Sequence, residues 1–288
     1  MPELPEIETI KLALRKHLIN HKIKSIEVKI PKMFIGEKDK VIGAKVTNLK
    51  RIGKGLIIEL NNNYLLVIHL KMTGQLVYRD DKTKNIKLSK KIGGDSLPSK
   101  YSHIIFYLDK NATLFYNDLR QFGFIKIVKK DELMKIPFFK EMGPEPKVGN
   151  DIFGKELTLD YFKKVTKKGN LAIKVLLMDQ KRIGGIGNIY ANDALFKANI
   201  DPRRKGKDLE DKEIKNLYNA ILYIIGKSMK YGGSSDENFV NALGQEGAYQ
   251  DHSLVYGKKG QKCPRGDGTV EKIKLGGRGT YFCPKCQK

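Results

Sequence analysis

Met1-Pro2-Glu3-Leu4-Pro5-Glu6 opens the chain, and an apolar stripe at helical spacing follows it: Ile7, Ile10, Leu14 and Leu18. The stripe predicts an amphipathic helix. We expect it to begin at Pro5, because proline is favoured at the first helical position and acidic residues in the first turn complement the positive end of the helix dipole. Pro2 and Glu3 therefore lie just before a helix that docks on a core.

The second residue gives this amino terminus a possible chemical use. Proline after Met1 is the usual context for removal of the initiator methionine, which would leave a secondary amine beside the carboxylate of Glu3. An α-amino group titrates near ~7.7–8.0, against ~10.4 for lysine, so a useful fraction is neutral and nucleophilic near neutral pH. Such an amine suits Schiff-base chemistry. Taken alone, these six residues favour the simpler interpretation that the prolines only shape the helix start.

Composition narrows the class of protein. The 288 residues suit one large domain or two medium ones, and 40% are hydrophobic, which is enough for a core. There are 55 Lys+Arg against 32 Asp+Glu, a formal charge of +23. This excess predicts a polyanionic partner, foremost nucleic acid, although a general lysine enrichment would raise the same count. Three cysteines, no apolar run of ~18 residues and no signal-peptide core predict a cytoplasmic protein without a membrane segment.

The chain divides into a β-rich and a helical part. Short β-rich runs fill the block from Ile23 to Lys130 and predict an antiparallel sandwich or barrel. The runs are Ile26–Ile30, Leu56–Leu60, Tyr64–Leu70, Ile104–Leu108, Thr113–Tyr116 and Phe124–Val128. Within it, Asp80–Lys100 is rich in Lys, Ser and Gly and is typical of a mobile excursion between strands. Helical patterns follow a break at Met142–Pro146. We predict an N-terminal domain over residues 1–135, a linker over 136–150, a helical domain over 151–257 and a cysteine-containing module over 258–288.

The tail carries metal-ligand spacing. Cys263-Pro-Arg-Gly266 is followed, after sixteen residues, by Cys283-Pro-Lys-Cys286. Paired C-x₂-C motifs at this separation are typical of a zinc ribbon. Gly266 stands where the fourth cysteine is expected. Asp267 or a water can complete the site, and loss of metal binding is the alternative.

Two glycine-rich stretches predict contacts to a nucleic-acid backbone. Gly276–Thr280 is typical of a hairpin tip from which Arg278 projects, suited to a phosphate or a minor groove, although an ordinary solvated turn fits equally well. Ile183–Asn188 opens a helix with three glycines, so its amides can approach a phosphate. It lacks the Lys-Ser/Thr ending of a nucleotide P-loop and does not follow a strand, which favours a helix–turn–helix element.

Two strings in the β-rich block end strands in turns: His69-Leu-Lys-Met72-Thr-Gly74 and Asp118-Leu-Arg120-Gln-Phe122-Gly123. Met and Phe at turn tips either pack partly into the core or serve as a wedge. A wedge of apolar side chains with an arginine fills the gap that an extruded base leaves in a duplex.

Six motifs occur in the order found in formamidopyrimidine-DNA glycosylase, the bacterial 8-oxoguanine DNA glycosylase/AP lyase, and the chain resembles this family over essentially its whole length. They are the opening Met1–Glu6, the strings His69–Gly74 and Asp118–Gly123, Gly143-Pro-Glu-Pro146, the run Met178–Ala191 and the cysteine tail. The resemblance implies an α+β fold, with an N-terminal β-sandwich flanked by helices, a helix–two-turn–helix domain and a zinc-finger-like β-hairpin. It implies double-stranded DNA with oxidised bases as the partner, a structural zinc ion and a monomer.

The resemblance also implies roles for individual residues. Pro2 matches the nucleophile that attacks C1′, Glu3 the general acid and Glu6 a supporting carboxylate, while Lys174 matches a lysine near the lesion pocket. Lys54 and Arg278, counted with the catalytic set, match contacts to backbone phosphates, as do Asn188 and Tyr256. Met72, Arg120 and Phe122 match the triad that fills the gap left by the flipped base, and His69 is a further DNA-binding residue.

Some positions depart from the family pattern. Gly266 breaks the four-cysteine set, Gly55 replaces an aromatic residue after the lysine, Asp80–Lys100 is longer than usual, and Asp236-Glu-Asn238 makes the loop after Gly232 unusually acidic. These departures bear on lesion preference more than on the reaction.

Two other functions fit part of the pattern. The endonuclease VIII-like glycosylase for oxidised pyrimidines shares Pro2 and Glu3 but typically has glycine where this chain has Leu4. A catalytically silent DNA-binding protein would keep the basic surface and lose the amine. The sequence therefore favours the purine glycosylase.

Overall fold

A computed structural model of the chain describes residues 1–148, 154–266 and 268–288. They form two compact units. The first comprises Met1–Lys140 and Tyr231–Ala248, and the second comprises Glu141–Lys230 and Tyr249–Lys288. The chain thus returns to the first unit for one segment before it completes the second. The predicted boundary at 150/151 lies outside the described residues, and the four-part division remains a proposal.

The first unit begins with helix α1 (Leu4–Leu18) and continues in strands. They are β1 (Ile23–Val28), β2 (Phe34–Ile35), β3 (Val46–Ile52), β4 (Gly55–Leu60), β5 (Tyr64–His69), β6 (Gly74–Arg79), β7 (Ser102–Leu108), β8 (Thr113–Asp118) and β9 (Phe124–Lys129), followed by the short helix α2 (Pro137–Lys140).

These strands form two sheets with the orders β1-β7-β8-β6 and β2-β9-β5-β4-β3. Alternate side chains of both sheets meet in one core, which also takes the apolar stripe of α1. The predicted sandwich is therefore confirmed. One pairing differs from the antiparallel expectation, because the two-residue β2 runs parallel to β9. The two strands are far apart in sequence, so no hairpin sets their relative direction.

The second unit contains the predicted helices and a hairpin. Its elements are α3 (Leu159–Lys167), α4 (Ile173–Met178), α5 (Asn188–Lys197), α6 (Asp211–Lys230), α7 (Tyr249–His252), β10 (Glu271–Leu275) and β11 (Arg278–Phe282). The α+β class and the C-terminal hairpin are thus as predicted. Among the described helices, none combines the length and apolar composition that crossing a membrane requires.

Candidate active site and nucleic-acid interface

The amino terminus is buried at the start of α1. Pro2 is buried, Glu3 is 3% exposed, and Leu4 is the first helical residue, one position before the predicted start. The backbone N–H of Glu3 donates to Oε2 of Glu6 at 2.7 Å in a capping box. This bond pairs a donor that the helix start would otherwise leave unpaired. It also fixes the backbone at Glu3 and therefore the orientation of Pro2, the residue before it.

Glu6 also holds the segment that returns to the first unit. Its Oε1 accepts from the backbone N–H of Ser234 at 2.8 Å. Gly233 has φ +86°, and a Cβ there would lie 2.8 Å from the same oxygen, so only glycine allows this approach. The ammonium group of Met1 donates to Oε2 of Glu237 at 2.7 Å. While Met1 is present, the nitrogen of Pro2 is an amide, and its nucleophilic form requires the methionine to be removed.

Lys54 lies in a turn that a buried ion cluster fixes. Glu8 of α1 accepts from Nζ of Lys11 at 2.7 Å and from Nε of Arg51 at 2.9 Å, and Arg51 also donates to the carbonyl of Gly53 at 2.9 Å. Gly53 has φ +56°, as the turn between β3 and β4 requires. Lys54 follows it and is 5% exposed. Helix α1 thereby positions both Glu3 and the Lys54 turn.

Two phenylalanines fill the space that Gly55 leaves. A Cβ on Gly55 would lie 2.9 Å from a ring carbon of Phe139 and 3.1 Å from one of Phe138. Aromatic rings from α2 thus occupy the place that the resemblance assigns to a residue after the lysine. The departure at Gly55 is therefore matched by α2, a compensation that the sequence pattern did not reveal.

His69 is enclosed by aromatic rings at the end of β5. Its ring lies 5.0 Å from that of Phe138 and 6.0 Å from that of Phe124, and its Nδ1 accepts from the backbone N–H of Lys71 at 3.0 Å. Burial, together with the nearby charges of Lys71 and Lys54, lowers the pKa of His69 from 6.5 to about 3. A neutral His69 can contact DNA only as a hydrogen-bonding or packing group.

Asp118 holds the two predicted wedge turns together. It is fully buried, and its carboxylate accepts from Thr73 Oγ1 at 2.5 Å and from the N–H groups of Arg120 and Gly123 at 3.2 and 2.8 Å. A Cβ on Gly123 would lie 1.9 Å from the hydroxyl of Tyr116, so the turn requires glycine. The sequence pattern includes Asp118 but does not predict this anchoring role. An aspartate at the strand end before a turn was the available signal.

The wedge side chains differ in exposure. Phe122 is 55% exposed, the guanidinium of Arg120 stacks 4.7 Å from its ring centre, and Met72 is half-buried. An exposed phenylalanine under an arginine is costly in water and suited to insertion between bases. The structure thus brings Met72, Arg120 and Phe122 onto two turns with a common anchor.

In the second unit, Lys174 holds the hairpin that presents Arg278. Lys174 lies in α4 with no exposed surface, and its Nζ donates to Thr280 Oγ1 at 2.7 Å and to the carbonyl of Gly279 at 3.0 Å. The turn residues Gly276 and Gly277 both have positive φ, as a two-residue hairpin turn requires. Arg278 is exposed at the tip. These contacts give Lys174 a positioning role for Arg278, and its place near a lesion pocket, which the resemblance implies, stays a prediction.

Asn188 and Tyr256 are linked through neighbouring residues of α5. Asn192 donates to the carbonyl of Asn188 at 2.5 Å and accepts from the N–H of Tyr281 in β11 at 2.7 Å. The fully buried Asp193 accepts from the N–H of Tyr256 at 3.1 Å, and from Leu254, Val255 and the Tyr249 hydroxyl. The predicted phosphate ligands therefore stand on elements that interlock. Asn192 and Asp193 were missed because their partners lie about 60 to 90 positions away.

Three cysteines converge beside the hairpin. The sulfur atoms of Cys263, Cys283 and Cys286 lie within 4.8 Å of one another, and those of Cys263 and Cys286 are 3.4 Å apart. Thiolates bound to one tetrahedral zinc ion lie about 3.8 Å apart, so the donor set fits zinc. Asp267 lies outside the described residues. The cluster packs on Phe196 of α5 and joins the module to the helices.

The chain matches known proteins in sequence and in structure. Three family models match: the formamidopyrimidine-DNA glycosylase N-terminal domain over residues 1–125, its H2TH domain over 142–239, and a zinc finger found in FPG and IleRS over 260–288. A formamidopyrimidine-DNA glycosylase of Pelotomaculum thermopropionicum is 38% identical over 293 residues, covering 100% of this chain and 99% of that protein. The chain belongs to the formamidopyrimidine-DNA glycosylase family.

Other members of the formamidopyrimidine-DNA glycosylase family agree in sequence and in structure. The Streptococcus mutans protein is 36% identical over 292 residues, covering all of both chains. The Lactococcus lactis Fpg, solved in complex with DNA containing an abasic site, superposes with a TM-score of 0.86 at 32% identity over 99% of both chains. The same protein was also solved with DNA containing an oxidised pyrimidine, with a TM-score of 0.85 at 33% identity over all of both chains.

Proposed function

We propose that this family member is a bifunctional DNA glycosylase and AP lyase of base excision repair, which removes oxidised purines through a Schiff base at Pro2. The observation that carries the proposal is the buried Pro2–Glu3 pair, which Glu6 fixes at the start of α1. Family membership over the full chain supports the reaction class.

In the proposed reaction the secondary amine of Pro2, freed by loss of Met1, attacks C1′ of the damaged nucleotide. A C1′–N bond forms, the glycosidic bond breaks, and the base departs with its electron pair and takes up the proton that the Pro2 nitrogen gives up. Glu3 protonates the sugar-ring oxygen as the ring opens. The iminium ion has no N–H to lose, so it remains an electron sink. A proton then leaves C2′ and the 3′ phosphate departs, and a second elimination releases the 5′ phosphate.

The residues proposed to contact DNA divide between phosphate binding and gap filling. We assign Lys54, Asn188, Tyr256 and Arg278 to backbone phosphates, which position the duplex without reading its sequence. Met72, Arg120 and Phe122 enter the gap of the extruded nucleotide, where arginine offers donors to the orphaned base. The formal charge of +23 favours this polyanionic partner.

Zinc, where bound, stabilises the fold of the C-terminal module and takes no part in the reaction. Cys263, Cys283 and Cys286 would hold it, with Asp267 proposed as the fourth ligand. The same module carries Arg278, so metal binding supports the grip on DNA. We further propose that the enzyme works as a monomer in the cytoplasm, where its DNA substrate lies and where its three cysteines, which form no disulfide, stay reduced.

Oxidised pyrimidines are the alternative substrate class, favoured by the complex of the L. lactis protein with such a lesion. Single-turnover cleavage separates the two. Duplexes with 8-oxoguanine opposite cytosine and with dihydrouracil opposite adenine are incubated with excess enzyme, together with an undamaged duplex. We expect faster cleavage of the 8-oxoguanine duplex. Preference for dihydrouracil would contradict the purine assignment, and equal resistance of both duplexes would contradict the glycosylase assignment.

A further inference from the structure

Residues 80–100, between β6 and β7, pack on the segment Tyr231–Ala248, although their composition predicts a mobile excursion. Ile92 is fully buried in a small apolar cluster with Val77 and Val240. Gly244 has φ +76°, and a Cβ there would lie 2.5 Å from a methyl of Leu88 and 2.8 Å from Cδ1 of Ile92. The two segments therefore fit closely, although about 150 residues separate them.

Lys91 is the polar centre of this contact. Its ammonium group donates to the carbonyl of Ser235 and lies 2.8 Å from Oε2 of Glu246, so it joins the two ends of the returning segment. Ser89 adds a hydroxyl bond to Oε1 of Glu246 at 2.5 Å and a backbone bond to the carbonyl of Gly244 at 2.8 Å.

Strand β6 contacts both segments through hydrogen bonds. The side-chain amide of Gln75 donates to the carbonyl of Lys91 at 3.0 Å and to that of Asn238 at 2.7 Å, so one group joins both segments to the sheet. The N–H of Tyr78 donates to the carbonyl of Ala242 at 2.8 Å. The returning segment is thus held by the sandwich and by residues 80–100 together.

The returning segment reaches the candidate active site. Ser234, next to the carbonyl that Lys91 binds, donates its N–H to Glu6, and Glu6 accepts from Glu3. The hydroxyl of Ser234 is buried and has no hydrogen-bond partner among the described residues, so it remains available to a group of the substrate. Three hydrogen bonds therefore connect Lys91 with Glu3, the proposed catalytic acid.

We propose that Asp80–Lys100 is a brace that holds the segment Tyr231–Ala248 against Glu6, with Lys91 as its positioning residue. The proposal rests on the proposed function for its catalytic consequence. Loss of the Lys91 ammonium removes one donor from the carbonyl of Ser235 and the cation beside Glu246, the segment opens more often, and Glu6 loses a fixed partner. Base excision then slows while the DNA contacts remain.

A rival role for Lys91 is a phosphate contact, since the protein is strongly basic. Three variants separate the two roles: Lys91→Met, Glu246→Gln, which breaks the same pair from the other side without removing a cation, and Lys90→Met, at the exposed neighbouring lysine, as the control. Lys91→Arg tests rescue, because a guanidinium can donate to both acceptors.

The first readout is hydrogen exchange of the full chain without DNA, which does not depend on any activity. We expect K91M and E246Q to speed exchange of the Ser234 and Gly244 amides on the order of tenfold, with β7 and β8 unchanged, and K90M to have no effect. Unchanged exchange in both K91M and E246Q would refute the brace whatever the enzyme does.

The second readout is single-turnover excision of 8-oxoguanine together with the Kd for the duplex. The brace predicts roughly tenfold slower excision in K91M and E246Q with Kd and its salt dependence unchanged, and recovery in K91R. Weaker DNA binding in K91M with normal excision in E246Q would instead establish the phosphate contact and refute the brace. A wild-type protein that excises no lesion contradicts the proposed function, and the exchange result still decides the brace.

Discussion

Replacing His69 tests the aromatic enclosure beside Lys54. The pKa of His69 is about 3 in the folded chain and about 6.5 in the unfolded chain. Because the folded pKa is lowered, the stabilisation is fully present above pH 6.5 and is lost as the pH falls from 6.5 towards 3. At pH 5, which is 1.5 pH units below the unfolded pKa, protonation of this histidine stabilises the unfolded chain by about 2 kcal/mol, at 1.36 kcal/mol for each pH unit.

His69→Asn is the suitable variant, since its side-chain oxygen can replace Nδ1 as acceptor for the N–H of Lys71. The free energy of unfolding is measured in urea at pH 7.5 and pH 5 for both proteins, with circular dichroism as the signal. Wild type should lose about 2 kcal/mol more than the variant over this interval, because all other groups titrate equally in both. An equal loss in the two proteins would show that His69 is protonated in the folded state and would refute the reasoning.

The other variants test separate parts of the site. Lys54→Ala should weaken duplex binding and lower the slope of log K against log salt by about one. The control Lys24→Ala, at an exposed lysine, should change the slope less. Equal slopes for wild type and K54A would show that Lys54 does not bind a phosphate. Asp118→Ala removes the carboxylate that accepts from the N–H groups of Arg120 and Gly123. The free energy of unfolding in urea should therefore fall by about 2–4 kcal/mol. A loss below about 0.5 kcal/mol would contradict the anchoring role of Asp118. Metal analysis should find about one zinc ion per chain. Cys286→Ser should lower the zinc content and weaken DNA binding. A metal-free wild-type protein with full DNA affinity would contradict the zinc assignment.

The sequence predicted local structure well where a repeating pattern carried it. The stripe from Ile7 to Leu18 gave α1, and the run Leu56–Leu60 lies within β4. Strand β3 was missed, because its sequence Val-Thr-Asn-Leu-Lys-Arg-Ile carries polar residues on its outer face and its buried face is completed by α1. Family resemblance supplied the roles of Pro2 and Glu3, which periodicity cannot give.

Contacts between distant segments could not be predicted from the sequence. The bond between Glu6 and Ser234 spans 228 positions, and the one between Lys91 and Ser235 spans 144. Lysine at position 91 is indistinguishable in sequence from the exposed lysine beside it. Lys91 is oriented towards the returning segment by the packing of Ile92 into the apolar cluster and by the bond from Gln75 to the Lys91 carbonyl, and both contacts depend on the whole fold.

Borohydride trapping followed by peptide mapping tests the central claim most directly. Enzyme is incubated with a duplex containing 8-oxoguanine, reduced, digested and analysed by tandem mass spectrometry, with Pro2→Gly as the matched variant. We expect one adduct per chain, on the nitrogen of Pro2, in a peptide that lacks Met1. An adduct on a lysine side chain, or full activity in a preparation that retains Met1, would contradict the account.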